Sequence, residues 1–136
     1  MKVLMLFADE FSYTVTTKTL QDFEDASGSK TFNDVLVAFV QVEKEDEEEV
    51  SKKVKKLIKS IKWAAGKNKT KNVLLHSFAH LSLSKAEPKI TKEILDKAEK
   101  RLKNVGFQVE QTPFGYFLDL KLSAPGVSQA RIFQDL

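Results

Sequence analysis

Cysteine is absent from the 136 residues. That removes disulfide frameworks, thiolate nucleophiles, zinc–thiolate sites and iron–sulfur clusters, and it fits a reducing, cytosolic compartment. Histidine occurs only as His76 and His80. Their four-residue spacing would pair them on a helix face, but the local pattern is strand running into loop, and no third histidine or carboxylate cluster completes a metal site. Glycine (5) and proline (3) are scarce. No glycine-rich phosphate loop, no G-x-S-x-G elbow, no defensible carboxylate pair and no aromatic–basic RNA-recognition signature can be assembled. Long apolar runs are missing as well. The opening stretch Met1–Ala8 stops at Asp9-Glu10, too short for a spanning helix and without a signal-peptide cleavage pattern, so neither membrane insertion nor secretion is expected.

What is present suits one domain spanning residues 1–136, with 42% hydrophobic and 30% charged residues. Lys and Arg total 22 against 19 Asp and Glu, a net charge of +3, which permits a nucleic-acid partner without demanding one. Residues 2–8 read as a strand, and Phe11, Tyr13 and Val15 alternate as a second, so a hairpin turning at Asp9-Glu10 is expected. Residues 20–34 are polar and read as a loop. Val35–Val40 is continuously apolar, the signature of a strand covered on both faces, and runs on to Val42-Glu43.

Between Asp46 and Ala65 the apolar residues Val50, Val54, Leu57, Ile58 and Ile61 recur at three and four, predicting an amphipathic helix that ends at Gly66. Glu47–Glu49 at its start and lysines in its later turns match the helix macrodipole, and such charge runs usually form a solvated face. Val73–Leu75 predicts another buried strand that leads into Ser77–Ser82. A second helix is expected from Pro88 to Gly106, then a strand over Phe107–Glu110 and a last long strand through Tyr116, Leu118, Leu120 and Leu122, ended by Pro125-Gly126. The resulting order, β-β-β-α-β-α-β-β, predicts an α/β fold with a mixed sheet and helices packed against it. His76, at a strand end, reads as structural. His80 lies just beyond that end, between Ser77 and Ser82, where open α/β sheets favour ligands.

Four segments in this order are specific together: Met1–Asp9; Val35–Lys44; Phe78-Ala79-His80-Leu81-Ser82 with Pro88 after it; and Pro113-Phe114-Gly115-Tyr116. Over roughly residues 1–126 the chain thus resembles the archaeal N-terminal editing domain of threonyl-tRNA synthetase. The resemblance implies the fold of the D-aminoacyl-tRNA deacylases and hydrolysis of serine wrongly attached to threonine tRNA. The site would be built largely from main-chain groups, and a ribose hydroxyl of the terminal adenosine would help to activate water. No cofactor or metal is implied.

Carried onto this sequence, the catalytic candidates are His80 and Tyr116, and the substrate-binding candidates are Val42, Ala79, His80, Phe114, Gly115, Tyr116 and Phe117. Lys67, Lys69, Lys71, Lys85 and Lys89 are the candidates for tRNA phosphates. The implied partners are the tRNA(Thr) acceptor end with its seryl-adenosine and a threonyl-tRNA synthetase catalytic domain in cis or in trans, and a homodimer is admitted. The chain departs from the family where Tyr116-Phe117-Leu118 replaces Tyr-Tyr-Lys, where Ser123–Arg131 replaces S-C-K-G-H-P-L-A-E, and where Phe7-Ala8-Asp9 replaces H-S-D. These changes sustain two alternatives: a tRNA-binding or structural domain that has lost hydrolysis, and, from the shared fold, a D-aminoacyl-tRNA deacylase.

Overall fold

A computed structural model describes all 136 residues. Six strands and two helices follow one another as β1 (Lys2–Lys18), β2 (Ser29–Gln41), α1 (Val50–Lys67), β3 (Asn72–Ser77), α2 (Pro88–Asn104), β4 (Gln108–Gln111), β5 (Tyr116–Ser123) and β6 (Arg131–Asp135). Short 3-10 turns occupy Lys44–Glu49 and Ser128–Ala130. One mixed sheet is formed in the order β4-β3-β2-β1-β5, with β6 also on β1. β2, β3 and β4 are mutually parallel, joined through α1 and α2 as helical crossovers. β1 is antiparallel to β2, β5 and β6.

Both helices cover one face of the sheet. Leu57, Ile61 and Ala64 of α1 and Ile94, Leu95 and Leu102 of α2 join Val3, Met5, Leu36, Ala38, Val73 and Leu75 in the main core. Leu102 through Phe107 closes the second helix as foreseen, with Gly106 at φ 95. A smaller cluster lies on the opposite face, around Phe11, Val35, Val37, Phe39 and Leu74. The mixed α/β sheet with two packed helices is the architecture that the sequence pattern predicts.

Three details differ. The expected hairpin is one continuous strand: β1 runs through Asp9-Glu10 without turning. The reason is a switch of side-chain parity. Leu4, Leu6 and Ala8 point to the small cluster, but beyond Glu10 it is Phe11 and Tyr13 that do so. β2 switches in step, from Phe32 to Val35, Val37 and Phe39. Asp9 and Asp34 fall between the ladder pairs Ala8–Val35 and Glu10–Asn33, and Asp34 takes the left-handed conformation at φ 50, which aspartate tolerates. Two apolar patterns of opposite parity look like two strands.

Second, residues 29–34 belong to β2 rather than to a loop. Their side chains are mostly exposed, so no apolar alternation announces them, yet their backbone pairs with residues 10–14. Third, the chain does not leave the sheet at Pro125-Gly126. β6 returns to pair Arg131–Asp135 with Leu6–Lys2. The acidic residues expected in the first helical turn instead form the 3-10 turn before α1, where buried Asp46 accepts the Glu43 N–H at 2.7 Å.

The continuity of β1 is testable. Glu10 sits opposite Asn33 on one side and Ser123 on the other, so its N–H has a ladder partner whichever way it points. A turn would accept Glu10→Pro. In this fold the change leaves a ladder acceptor unpaired and is expected to cost about 1–3 kcal/mol or more, seen as a melting temperature lower by at least several degrees.

Candidate functional site

A cleft of about 500 Å³ opens at the carboxyl ends of β2 and β3. Its walls are Val40–Val42 from β2, His76–His80 from β3 and the loop after it, Pro113–Leu118 and Leu120 from the start of β5, Thr19 and Leu20 after β1, and Pro88 and Thr91 of α2. Such a position is where the strand ends of α/β sheets leave backbone groups and helix N-termini facing one space. Pro88 is the first residue of α2, so the helix presents its positive end there.

Every side chain named above as a substrate-binding or catalytic candidate lies on this cleft: Val42, Ala79, His80, Phe114, Gly115, Tyr116 and Phe117. Of the five lysines, Lys85 lines it and Lys89 is exposed on the first turn of α2. Lys67, Lys69 and Lys71 are elsewhere. They precede β3, whose six residues separate them from the cleft by about 20 Å. Lys67 and Lys71 cover the Trp63 and Phe107 rings at 5.0 and 4.5 Å.

The loop that carries His80 is held from below by Gln41. This side chain is 2% exposed, and all of its hydrogen-bonding capacity goes into the loop. Its Oε1 accepts the N–H groups of Leu81 at 2.5 Å and Ser82 at 2.7 Å. Its Nε2 donates to the carbonyls of Ser82 and Ser84, both at 2.9 Å. Phe78 N–H is taken by Val40 O at 2.9 Å. Clamped on both sides, the Ala79 and His80 amides are the two in this turn with no partner in the chain. The sequence reading missed Gln41. The signal for it is one uncharged polar residue inside the apolar run Val35–Val42, since an amide buried in a strand needs a full set of partners.

A second tether is ionic. The Ser82 hydroxyl donates to Glu43 at 2.6 Å. Glu43 also accepts from the Met1 ammonium at 2.7 Å and from Lys2 at 3.2 Å. Burial acts to raise the Glu43 carboxyl, but these hydrogen bonds outweigh it and hold the group at about 2.

His80 is exposed, its ring set edge-on against Phe78 at 5.0 Å. His76 is different. It is buried, its Nδ1 lies 2.8 Å from the Thr112 hydroxyl, and Phe39 packs perpendicular to its ring at 5.1 Å. Burial pushes its pKa down to about 4. The Tyr116 hydroxyl accepts the Ala26 N–H at 3.0 Å, which leaves its own proton free to donate. Gly115 stands at φ 83, and its carbonyl accepts Thr19 and Leu20 N–H groups at 2.7 and 3.2 Å. A Cβ there would lie 3.0 Å from Leu20 Cβ, so the wall on that side closes only over glycine. Of the positions where the chain departs from the family, Phe117 and Leu118 reach the cleft. Arg131 starts β6 and donates to Pro125 O at 2.9 Å instead.

Two measurements check this geometry. Gln41→Leu removes four hydrogen bonds to the loop, Gln41→Glu keeps the two that involve Oε1, and the order of amide protection at Leu81 and Ser82 is expected to be parent, then Glu, then Leu, with a roughly ten-fold or greater loss for Leu. Equal protection in all three would refute the clamp. His76 stays neutral in the fold while an unfolded chain protonates it near 6.5, so its contribution is complete above pH 6.5 and is lost as the pH falls towards 4. The shift corresponds to about 3 kcal/mol. His76→Gln is expected to flatten melting temperature against pH between 6.5 and 4.5. The loss at lower pH, where Glu43 becomes protonated, is expected to remain.

Comparison with known proteins places the chain in a family. A family model described as the archaea-specific editing domain of threonyl-tRNA synthetase matches residues 1–136, including β6 beyond residue 126. The threonine–tRNA ligases of Thermococcus sibiricus and Thermococcus onnurineus are 36% and 37% identical over 129 residues. That of Methanobrevibacter smithii is 34% identical over 128. In each case 93% of this chain is covered but only 21% of the ligase, so the chain spans about a fifth of these relatives. Among solved structures, the c-Myc DNA unwinding element binding protein superimposes with a TM-score of 0.70 at 13% identity, over 100% of this chain and 99% of that one. At that identity the likeness establishes a shared fold and nothing about activity. Taken with the identity to the ligases, the full-length match assigns this chain to the family of archaeal threonyl-tRNA synthetase editing domains.

Proposed function

We propose that the cleft hydrolyses the ester joining serine to the terminal adenosine of threonine tRNA, as part of a synthetase or as a free-standing factor acting in trans. Serine lacks one methyl of threonine. A pocket gains only about 1–3 kcal/mol from such a group, roughly 10–200-fold, which falls short of translational fidelity and calls for a separate hydrolytic site. The observation that carries the reading is the pair of amides at Ala79 and His80 that no group of the chain accepts, in a loop that lines the cleft and is tied down on either side by Val40 and Gln41.

Water adds to the ester carbonyl, and the oxygen of that carbonyl takes up negative charge. Two rigid N–H donors suit that oxygen, because they are already oriented when the charge develops. The bond to the ribose oxygen then breaks, and that oxygen leaves with a proton. In this reading the neighbouring ribose hydroxyl orients the water, which explains why no acid–base pair of side chains is needed. Tyr116 donates its free proton to the substrate, His80 orients the adenosine or the seryl group, and Val42, Ala79, Phe114, Gly115 and Phe117 enclose it. Lys85 and Lys89 flank the cleft as partners for the terminal phosphates. The setting is the cytoplasm, with the acceptor end of tRNA(Thr) as ligand and the synthetase catalytic domain as the partner in cis or trans.

Leu118 favours one second reading. It lines the cleft at a position where the sequence resemblance implies a lysine, and loss of that cation suits a domain that binds tRNA without hydrolysing it. Incubating the protein with seryl-tRNA(Thr) and threonyl-tRNA(Thr) decides between the two: the editing reading expects faster loss of serine than of threonine, and no acceleration over buffer leaves the binding domain. His80→Ala is expected to lower seryl-tRNA deacylation by roughly 5–150-fold, the equivalent of a lost polar contact of about 1–3 kcal/mol, with an unchanged melting temperature because the side chain is exposed. A lower melting temperature with full activity would make it structural.

A further inference from the structure

The two helices carry charge in opposite ways. In α2, Glu93, Asp96 and Glu99 are interleaved with basic residues and form ion pairs with Lys97, Lys92 and Lys103. In Ser51–Lys71, which covers nearly all of α1 and the turn after it, there are nine lysines and no carboxylate. Only Lys52 and Lys53 reach acidic partners, and those lie before the helix. At 100° per residue, Lys55, Lys56, Lys59, Lys62, Trp63 and Lys67 fall on one stripe, opposite the buried Leu57, Ile61 and Ala64. Every residue of the stripe is exposed, and Trp63 stands in it 48% exposed with Lys67 over its ring.

Neither folding nor the dipole requires this arrangement. Like charges three and four apart, such as Lys55 with Lys59 and Lys59 with Lys62, destabilise a helix, whereas α2 relieves the same repulsion with carboxylates. The macrodipole favours cations only in the last turn, so the match expected from the sequence holds for Lys67 and not for Lys55, Lys56, Lys59 or Lys62. A row of unpaired cations about 18 Å long with an aromatic ring between them matches a polyanion that repeats its charge. The exposed Glu45, Glu48 and Glu49 bound the row at the amino end of the helix.

We propose that the exposed stripe of α1 is a docking surface for the phosphate backbone of duplex RNA, with Trp63 packing against the sugar edge. The assignment rests on the editing reading only in naming that RNA as the stem of the tRNA whose end enters the cleft. There the stripe extends the footprint, giving the domain a hold on tRNA that the terminal nucleotides alone do not supply.

The test compares three proteins: the parent chain, Lys55→Ala/Lys59→Ala/Lys62→Ala, and Lys92→Ala/Lys97→Ala/Lys103→Ala. Affinity for uncharged tRNA(Thr) and for a blunt RNA duplex is measured from 50 to 200 mM salt, with melting curves to verify folding. The α1 variant is expected to bind at least ten-fold more weakly at 100 mM salt, with a slope of log K against log salt reduced by about three units. The α2 variant is expected to stay near the parent. Equal slopes in all three proteins, no measurable RNA binding by the parent, or tighter binding to phosphatidylserine vesicles than to RNA would each overturn the proposal. Release of serine from seryl-adenosine, which has no stem, separates the two ideas. The α1 variant is expected to retain the parent's rate on it, and a parent that binds RNA through α1 but never releases serine would overturn the editing reading alone.

Discussion

The hydrogen-bond ladder along β1 is the constraint from which the rest of the molecule follows. Its backbone is paired on one edge with β2 over nearly its whole length, and on the other edge first with β6 and then with β5. A strand of 17 residues paired along most of both edges has no freedom to shift register without breaking bonds on two sides. That rigidity fixes where β2 ends, and so where the cleft begins. It also delivers Thr19 and Leu20 to the far wall, against the carbonyl of Gly115. The parity switch at Asp9 and Asp34 keeps both halves of the strand turned to the same small core, through Leu4, Leu6 and Ala8 before it and Phe11 and Tyr13 after it.

The elements easiest to see in the sequence were those whose burial writes a regular pattern. The continuous apolar run Val35–Val40, the stripe from Val50 to Ile61 and the helix from Pro88 each bury a face, and each stands close to where the pattern puts it. What stayed hidden was held mainly by backbone. Residues 29–34 and β6 have alternating or exposed side chains and contribute little to either core, so only the pairing edge of β1 makes them strands. The single extended β1 was disguised because its parity reverses, and periodicity has no means of telling a reversal from a turn.

At the candidate site the contrast is similar. The short blocks around His80 and Tyr116 were conspicuous because they are ordered and unusual in sequence, and the structure brings their residues onto one cleft. Gln41 was overlooked because a single polar residue between Val40 and Val42 does not disturb the apolar pattern of the strand. Its importance lies in four bonds to a loop about 40 residues away in the chain, which no local window contains. Lys67, Lys69 and Lys71 were grouped with Lys85 and Lys89 by charge, and the fold divides them between opposite ends of β3.

Gly115 sets how closely the chain after β1 and the start of β5 approach each other. The wall it shares with Leu20 is closed by a missing carbon: a Cβ on residue 115 would stand 3.0 Å from Leu20 Cβ, tighter than an ordinary contact, and in a left-handed backbone conformation that disfavours any side chain. A wall set by side chains breathes with their rotamers. One set by backbone closing on backbone holds its width for as long as β1 and β5 remain paired. This side of the cleft is therefore the part least able to widen, because the two segments that form it are tied by the Thr19 and Leu20 N–H groups to one carbonyl.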